Sequence, residues 1–417
     1  MHYSVLVPAL LAGTVSAWLP QERHLAAFDP SRSRMTTKIR GVNFGGWLIC
    51  EPWMMSNEWN NVMGCDGTTS ELGCMREKYP GARREAGNNK FEEHWKTWLT
   101  PDSVREVYDV GLNTIRIPIG YWSYTEIVDK VNEPFADGDR MLPYLDAVVK
   151  KASDLGLYVI MDLHGAPGGQ QEDAFTGQDK KPAGFFNNHD FARAEAWLAW
   201  MTRRIHSHPA YDTVGMIEVL NEPVSALDPD DRWPAPGQLP GLVQKYYPAA
   251  LEAIRSTEAV LNVPDAKKLH VQFMSRYWQA GDPRAMATIQ FDGRIAYDDH
   301  KYIGITIGDD RANQSKLMRW ACIHDRLMHD QEIALTGAWS MTSGVSADNA
   351  DFFRKFFTAQ QQLYEESGMS GWVYWTWKTE LNDPRWTYSV ATARKLVPTD
   401  AAGLEANVHQ DVCSGYT

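Results

Sequence analysis

The stretch Val214-Gly215-Met216-Ile217-Glu218-Val219-Leu220 is almost wholly apolar and stops at Asn221-Glu222-Pro223. A short apolar run closed by a turn signal reads as a buried strand. Its end delivers an amide and a carboxylic acid, side by side, to one edge of a sheet. Seven more runs of similar character lie at 39–42, 114–119, 158–163, 269–274, 295–297, 332–336 and 372–375. Helical patterns such as 143–155, 191–205, 246–261 and 349–368 fall between them. Strands alternating with helices eight times over predict an α/β fold, a (β/α)8 TIM barrel. A doubly wound open sheet is the alternative, but no Gly-rich phosphate loop follows the first strand. Neither an internal repeat nor a low-complexity linker divides the chain, so residues 37–417 are expected to form a single domain.

In such a barrel the functional residues sit at the C-terminal ends of the strands. Reading those ends gives Glu51 beyond the first strand, Arg116 on the second, Asp162 and His164 on the third and Asn221-Glu222 on the fourth. Asp298-Asp299-His300-Lys301-Tyr302 follows the sixth and Trp375 to Glu380 the eighth. Each has a plain structural reading: Arg116 as a barrel ion pair, His164 as a satisfied core histidine, Trp375 as a packed aromatic. Their coincidence on one rim argues for a site. An amide beside a carboxylic acid suits sugar chemistry. The amide binds a ring hydroxyl, and an acid kept protonated by an apolar site protonates a departing oxygen.

Composition narrows the partners. A net charge of −12 over 417 residues argues against nucleic acid and anionic membranes, and suits a neutral substrate. Seventeen Trp and seventeen Tyr lean toward carbohydrate, although aromatic residues also fill cores. Residues 1–17, with a small-residue site at Val15-Ser16-Ala17, read as a secretory signal peptide, and 18–36 as an N-terminal arm. Later runs are too short to span a bilayer. The expected product is a secreted, extracellular monomer, with Asn313-Gln314-Ser315 as a glycosylation sequon. Cys65 and Cys74 flank a short loop and predict a disulfide. Cys322 and Cys413 could tie the tail to the body, and Cys50 reads as a buried small hydrophobe. With no CxxC pair or His/Cys cluster, neither metal nor cofactor is expected.

Arg116-Ile-Pro-Ile119, Asp162-Leu-His-Gly-Ala-Pro-Gly168, Leu220-Asn-Glu-Pro223, Asp299-His-Lys-Tyr302 and Trp375-Thr-Trp-Lys-Thr-Glu380, in this order, resemble glycoside hydrolase family 5, and its fungal β-glucanase branch in particular. The likeness runs from Gly41 to Cys413. It implies the same barrel and a retaining hydrolysis. Glu222 would be the general acid/base, Asn221 would contact the sugar 2-hydroxyl, and Arg116 would orient the nucleophile. His164, His300, Tyr302 and Trp375 would shape the subsite of the reacting sugar, and Glu51 would bond its hydroxyls. A Cys322–Cys413 pairing is implied by the same resemblance.

One position departs from the pattern. The family carries its nucleophile in a Gly-Glu-Trp-Ser motif, where this chain reads Gly337-Ala338-Trp339-Ser340. Retaining hydrolysis needs a second carboxylate about 5–5.5 Å from the first, and a methyl group cannot take its place. Glu332, six residues back, sits at the far end of the expected strand. Three readings follow: a Glu→Ala change in an otherwise complete enzyme, a sugar-binding pseudoenzyme, or a nucleophile supplied from elsewhere. Glu51-Pro52-Trp53, Phe175-Thr176-Gly177-Gln178, Ala296 to His300 and Val397 to Asp400 resemble the fungal endo-β-1,6-glucanases more than the exo-β-1,3-glucanases or the rutinoside diglycosidases. The partner this implies is cell-wall β-1,6-glucan or its oligosaccharides.

Overall fold

Eight parallel strands close on themselves in the order of the chain, β1 (Ile39–Asn43), β2 (Thr114–Gly120), β3 (Tyr158–Gly165), β4 (Val214–Glu218), β5 (His270–Met274), β6 (Ile295–Lys301), β7 (Ala334–Trp339) and β8 (Met369–Tyr374), with β8 pairing back onto β1. This computed structural model describes residues 38–224, 239, 241–278, 280–286, 293–324, 333–366 and 368–416. The segments expected to be a signal peptide (1–17) and an N-terminal arm (18–36), and Glu332, lie outside the described residues. Closure excludes the open doubly wound sheet, because no strand edge is left unpaired. The strands are buried on both faces, which is why they read as continuous apolar runs rather than alternating ones.

The outer layer follows helix chemistry that the sequence carries openly. Helix Leu142–Leu155 starts with Pro143 in its first turn and ends at Gly156, whose φ of 73° admits the left-handed cap. Asn187 caps helix Asn188–Ser207 by accepting from the His189 and Asp190 amides, and Asn349 caps Ala350–Tyr364 in the same way. The disulfides Cys65–Cys74 and Cys322–Cys413 are both formed, and Cys50 is a buried free thiol.

Two strand limits differ from the sequence reading in ways that matter. β6 continues through Asp298, Asp299 and His300 to Lys301, so these residues lie on the strand and not after it. β7 runs through Ala338 to Trp339 instead of stopping at 336. Polar residues need not end a strand where partners are at hand: Asp298 accepts from the Gly337 amide of β7, His300 pairs with Glu222, and Lys301 pairs with Asp299.

Candidate active site

Alternate residues of each strand point into the barrel, and at the C-terminal level those residues are polar. Arg116 on β2 is the hub and is fully buried. Its Nε donates to Glu218 Oε2 at 2.9 Å, one terminal nitrogen to Asn43 Oδ1 at 2.8 Å and the other to Asn221 Oδ1 at 2.9 Å. Asp162 lies 3.0 Å from the same guanidinium. Burial alone would lower the Arg116 pKa, but Asp162, Glu218 and Asp298 together raise it. Burial pushes the Glu218 carboxyl well above the ordinary range, against the pull of Arg116. Asp298 on β6 accepts from the Gly337 amide at 2.5 Å. A Cβ on Gly337 would come within 1.9 Å of the Asp298 carboxylate, so only glycine fits there.

Above this level opens a cleft of about 310 Å³ whose lining includes Glu51, His164, Asn221, Glu222, His300, Tyr302, Ala338 and Trp375. The nine candidate residues therefore converge: eight line the cleft directly, and Arg116 lies beneath it. Glu222 sits at φ 41°, a left-handed conformation costly for a residue with a side chain. The chain is held there by Gln170, whose Nε2 donates to the carbonyls of His164 and Asn221 at 2.6 and 2.9 Å.

Glu222 Oε1 lies 2.5 Å from His300 Nδ1. Burial opposes charge on His300, but Glu222 and Asp298 raise its pKa to about 10, so it is an imidazolium at neutral pH. The surroundings of Glu222 thus differ from the apolar pocket expected for it: a cation lies against it. His164 goes the other way. Burial lowers its pKa despite the 2.7 Å bond from Nδ1 to Asp162, and its ring stacks on Trp375 at 5.7 Å with a 6° interplanar angle. Burial pushes the Glu51 carboxyl up to about 8, against the 2.8 Å bond that it accepts from the Trp53 indole; Asp173 and Glu222 add to the rise. Burial and the same two glutamates, Glu222 and Glu51, keep the Tyr302 phenol protonated.

Ala338 lies in this cleft, buried against Met54 and Trp375, with its Cα in register with His300 on β6. Strict alternation from Gly337 would send the Ala338 side chain out toward the helices. Irregularities between Thr336 and Trp339 and between Asp298 and His300 break the alternation and turn it into the cleft.

Several residues of the site escaped the sequence reading. Trp386 packs edge-on to Trp53 at 5.1 Å and tilts against Tyr302 at 5.7 Å, making an aromatic rim. Trp278, Gln171 and Asp173 also line the cleft. Glu218 was hidden inside an apolar run, although its parity with Glu222 just beyond was a usable signal. Conversely, the end of the Trp375–Glu380 motif is scaffolding. Lys378 donates to the Trp98 carbonyl at 2.7 Å, and Glu380 accepts from the Asn57 and Glu58 amides at 2.7 and 3.1 Å. Ligand atoms of Glu218, Asp298 and His300 lie within 4.8 Å of one another. All three already have protein partners: Glu222 on His300 Nδ1, the Gly337 amide on Asp298 and the Arg116 guanidinium on Glu218.

The family described as "Cellulase (glycosyl hydrolase family 5)" matches residues 81–380. A probable glucan endo-1,6-beta-glucosidase B of Aspergillus terreus is 35% identical over 98% of both chains. A probable glucan 1,3-beta-glucosidase A of Aspergillus clavatus is 28% identical over 88% of this chain and 91% of its own. Among solved structures, the rutinosidase from Aspergillus niger superposes with a TM-score of 0.66 over 87% of this chain and 99% of its own; at 18% identity it speaks for the fold alone. Matched over most of its length and built as the same closed barrel, this chain belongs to glycoside hydrolase family 5.

Proposed function

We propose that this chain carries the site of a secreted, retaining endo-β-1,6-glucanase in which Ala338 occupies the nucleophile position, so that it binds β-1,6-glucan and does not turn it over. The observation that carries this reading is the placement of Ala338 in one cleft with Asn221, Glu222, His300 and Tyr302. In the complete reaction a carboxylate at 338 attacks the anomeric carbon while the proton held between His300 and Glu222 passes through Glu222 to the departing oxygen. Glu222 then takes a proton from the water that releases the glycosyl ester. Asn221, with its oxygen engaged by Arg116, offers its Nδ2 group to a 2-hydroxyl. Neutral Glu51 and His164 bond hydroxyls of the same ring, and Trp375 supplies an apolar face. The linkage rests on the 35% identity to the endo-1,6 relative against 28% to the 1,3 relative. The two disulfides suit secretion, and no described helix is long and apolar enough to cross a membrane.

One observation favours a natural, non-catalytic glucan-binding protein as a second reading. Arg116 is fully engaged by Glu218, Asp162, Asn43 and Asn221, so it needs no carboxylate at 338 to justify its burial. Hydrolysis of linear β-1,6-glucan by this chain and by Ala338→Glu separates the two. Release of gluco-oligosaccharides by Ala338→Glu alone supports the silenced glucanase. Binding without turnover in both supports the binding protein, and turnover by the unaltered chain overturns the role of position 338.

A further inference from the structure

The Cys65–Cys74 disulfide closes a surface segment that supplies none of the cleft-lining residues named above, yet it is bonded to both walls of the cleft. Ser70 caps the helix Glu71–Glu77 by accepting from the Gly73 amide, which places Glu71 in the first turn with its side chain fully buried. Glu71 Oε1 accepts the Cys50 amide at 2.7 Å, one peptide unit from Glu51. The next residue faces the other wall. The Leu72 amide donates to the Gly177 carbonyl at 3.0 Å, and Thr69 Oγ1 donates to Asp179 Oδ1 at 2.8 Å. Gly177 ends the short turn Ala174–Thr176, so it follows directly on the segment carrying Asp173 and Phe175, both of which line the cleft. Gly177 is itself pinned: a Cβ there would come within 2.2 Å of the Trp122 ring.

We propose that the disulfide-closed segment is a clip that sets the spacing of these two walls, with Glu71 as a positioning residue for Glu51. Its importance for substrate rests on the glucan-binding reading above. The physical basis is local. The Cys50 amide is buried, and the Glu71 carboxyl is its acceptor; without it a buried N–H is left unsatisfied or the Cys50–Glu51 turn moves to find water. Glu51 Oε1 lies 3.9 Å from His164 Nε2, and Glu51 Oε2 holds Trp53, so a shift of this turn moves Glu51 and Trp53 together and changes their spacing to His164. Burial pushes the Glu71 carboxyl up to about 8, so it is a neutral acceptor at pH 7 and glutamine can stand in for it.

The test compares Glu71→Gln, Glu71→Leu and the double variant Cys65→Ser/Cys74→Ser in the full chain, with and without Ala338→Glu. Hydrogen exchange read by mass spectrometry is the substrate-independent measurement. Glu71→Leu and the double serine variant should exchange about tenfold faster at Cys50–Trp53 and at Asp173–Gly177, the loss of roughly one net hydrogen bond, while Ala350–Tyr364 stays unchanged. Glu71→Gln should match the parent. In the Ala338→Glu background, Glu71→Leu should raise KM for β-1,6-glucan about tenfold with kcat within about twofold. Exchange unchanged at either wall, or raised equally along the whole chain, overturns the clip, as does an equal loss in Glu71→Gln. If Ala338→Glu hydrolyses no glucan the activity reading falls, and exchange at the two walls alone decides the clip. Should Glu71→Leu not fold, the double serine variant carries the same comparison.

Discussion

The barrel interior is filled at two levels by opposite chemistry. Toward the N-terminal ends of the strands, Ile39, Tyr158, Ile160, Met216, Ala296, Leu335 and Val373 form one apolar cluster. One turn of the pleat higher, on the same inward positions, stand Asn43, Arg116, Asp162, Glu218 and Asp298, all fully buried. The lower level is held by area and packing, which respond gradually to substitution. The upper level is a charge network in which each member is desolvated and depends on the others, so loss of one strands the rest. Stability is placed below and chemistry above, and a substitution of similar size should cost very different amounts at the two levels.

The sharpest break of that contrast is Arg116→Leu, which leaves Asp162 and Glu218 buried without their cation. It should lower unfolding free energy by about 3–5 kcal/mol in urea titrations, and a cost no larger than a one-methylene change below would dissolve the contrast. Next is pH. Between pH 6.5 and 8 the native Glu51 and Glu71, raised to about 8, and His300, raised to about 10, hold protons that the unfolded chain has released. Stability is therefore lost as pH rises through this window, by roughly 2–4 kcal/mol. Thermal midpoints across that range should fall, and Glu51→Gln should flatten the slope whereas Met216→Leu should not. Gly337→Ala tests the meeting of the levels: the clash with Asp298 should cost about 1–3 kcal/mol. The smallest effect belongs to Ile160→Val in the apolar cluster, about 0.5–1.5 kcal/mol with no change in pH dependence.

The fold was legible because its signals are local. Apolar runs of strand length and helical periodicity each act within a few residues, and eight strand–helix alternations leave few architectures. The amide–acid pair at 221–222 was legible for the same reason, since it closes a run that reads as a strand without help. Trp386 was not: it reaches the cleft through a loop that returns so that the Thr376 amide meets the Trp386 carbonyl at 2.7 Å, a contact no spacing rule announces. Arg116 reads as a barrel ion pair, but its partners do not follow from the sequence: Glu218 and Asp162 hold it from strands that are distant in the chain.

By itself, the sequence determined the eight strands, their alternation with helices, the family and the identity of the groups on the rim, because periodicity and side-chain chemistry are written residue by residue. Tertiary structure alone decided which way Ala338 points, since that depends on register irregularities in its pairing with both neighbours. It alone also decided that His300 is a cation against Glu222 while His164 is neutral. Both are buried histidines with a carboxylate at one nitrogen. They differ in what else closes around them: Asp298 lies 3.4 Å from the second nitrogen of His300, whereas the Arg116 cation opposes charge on His164, and these neighbours are set only once the barrel has closed.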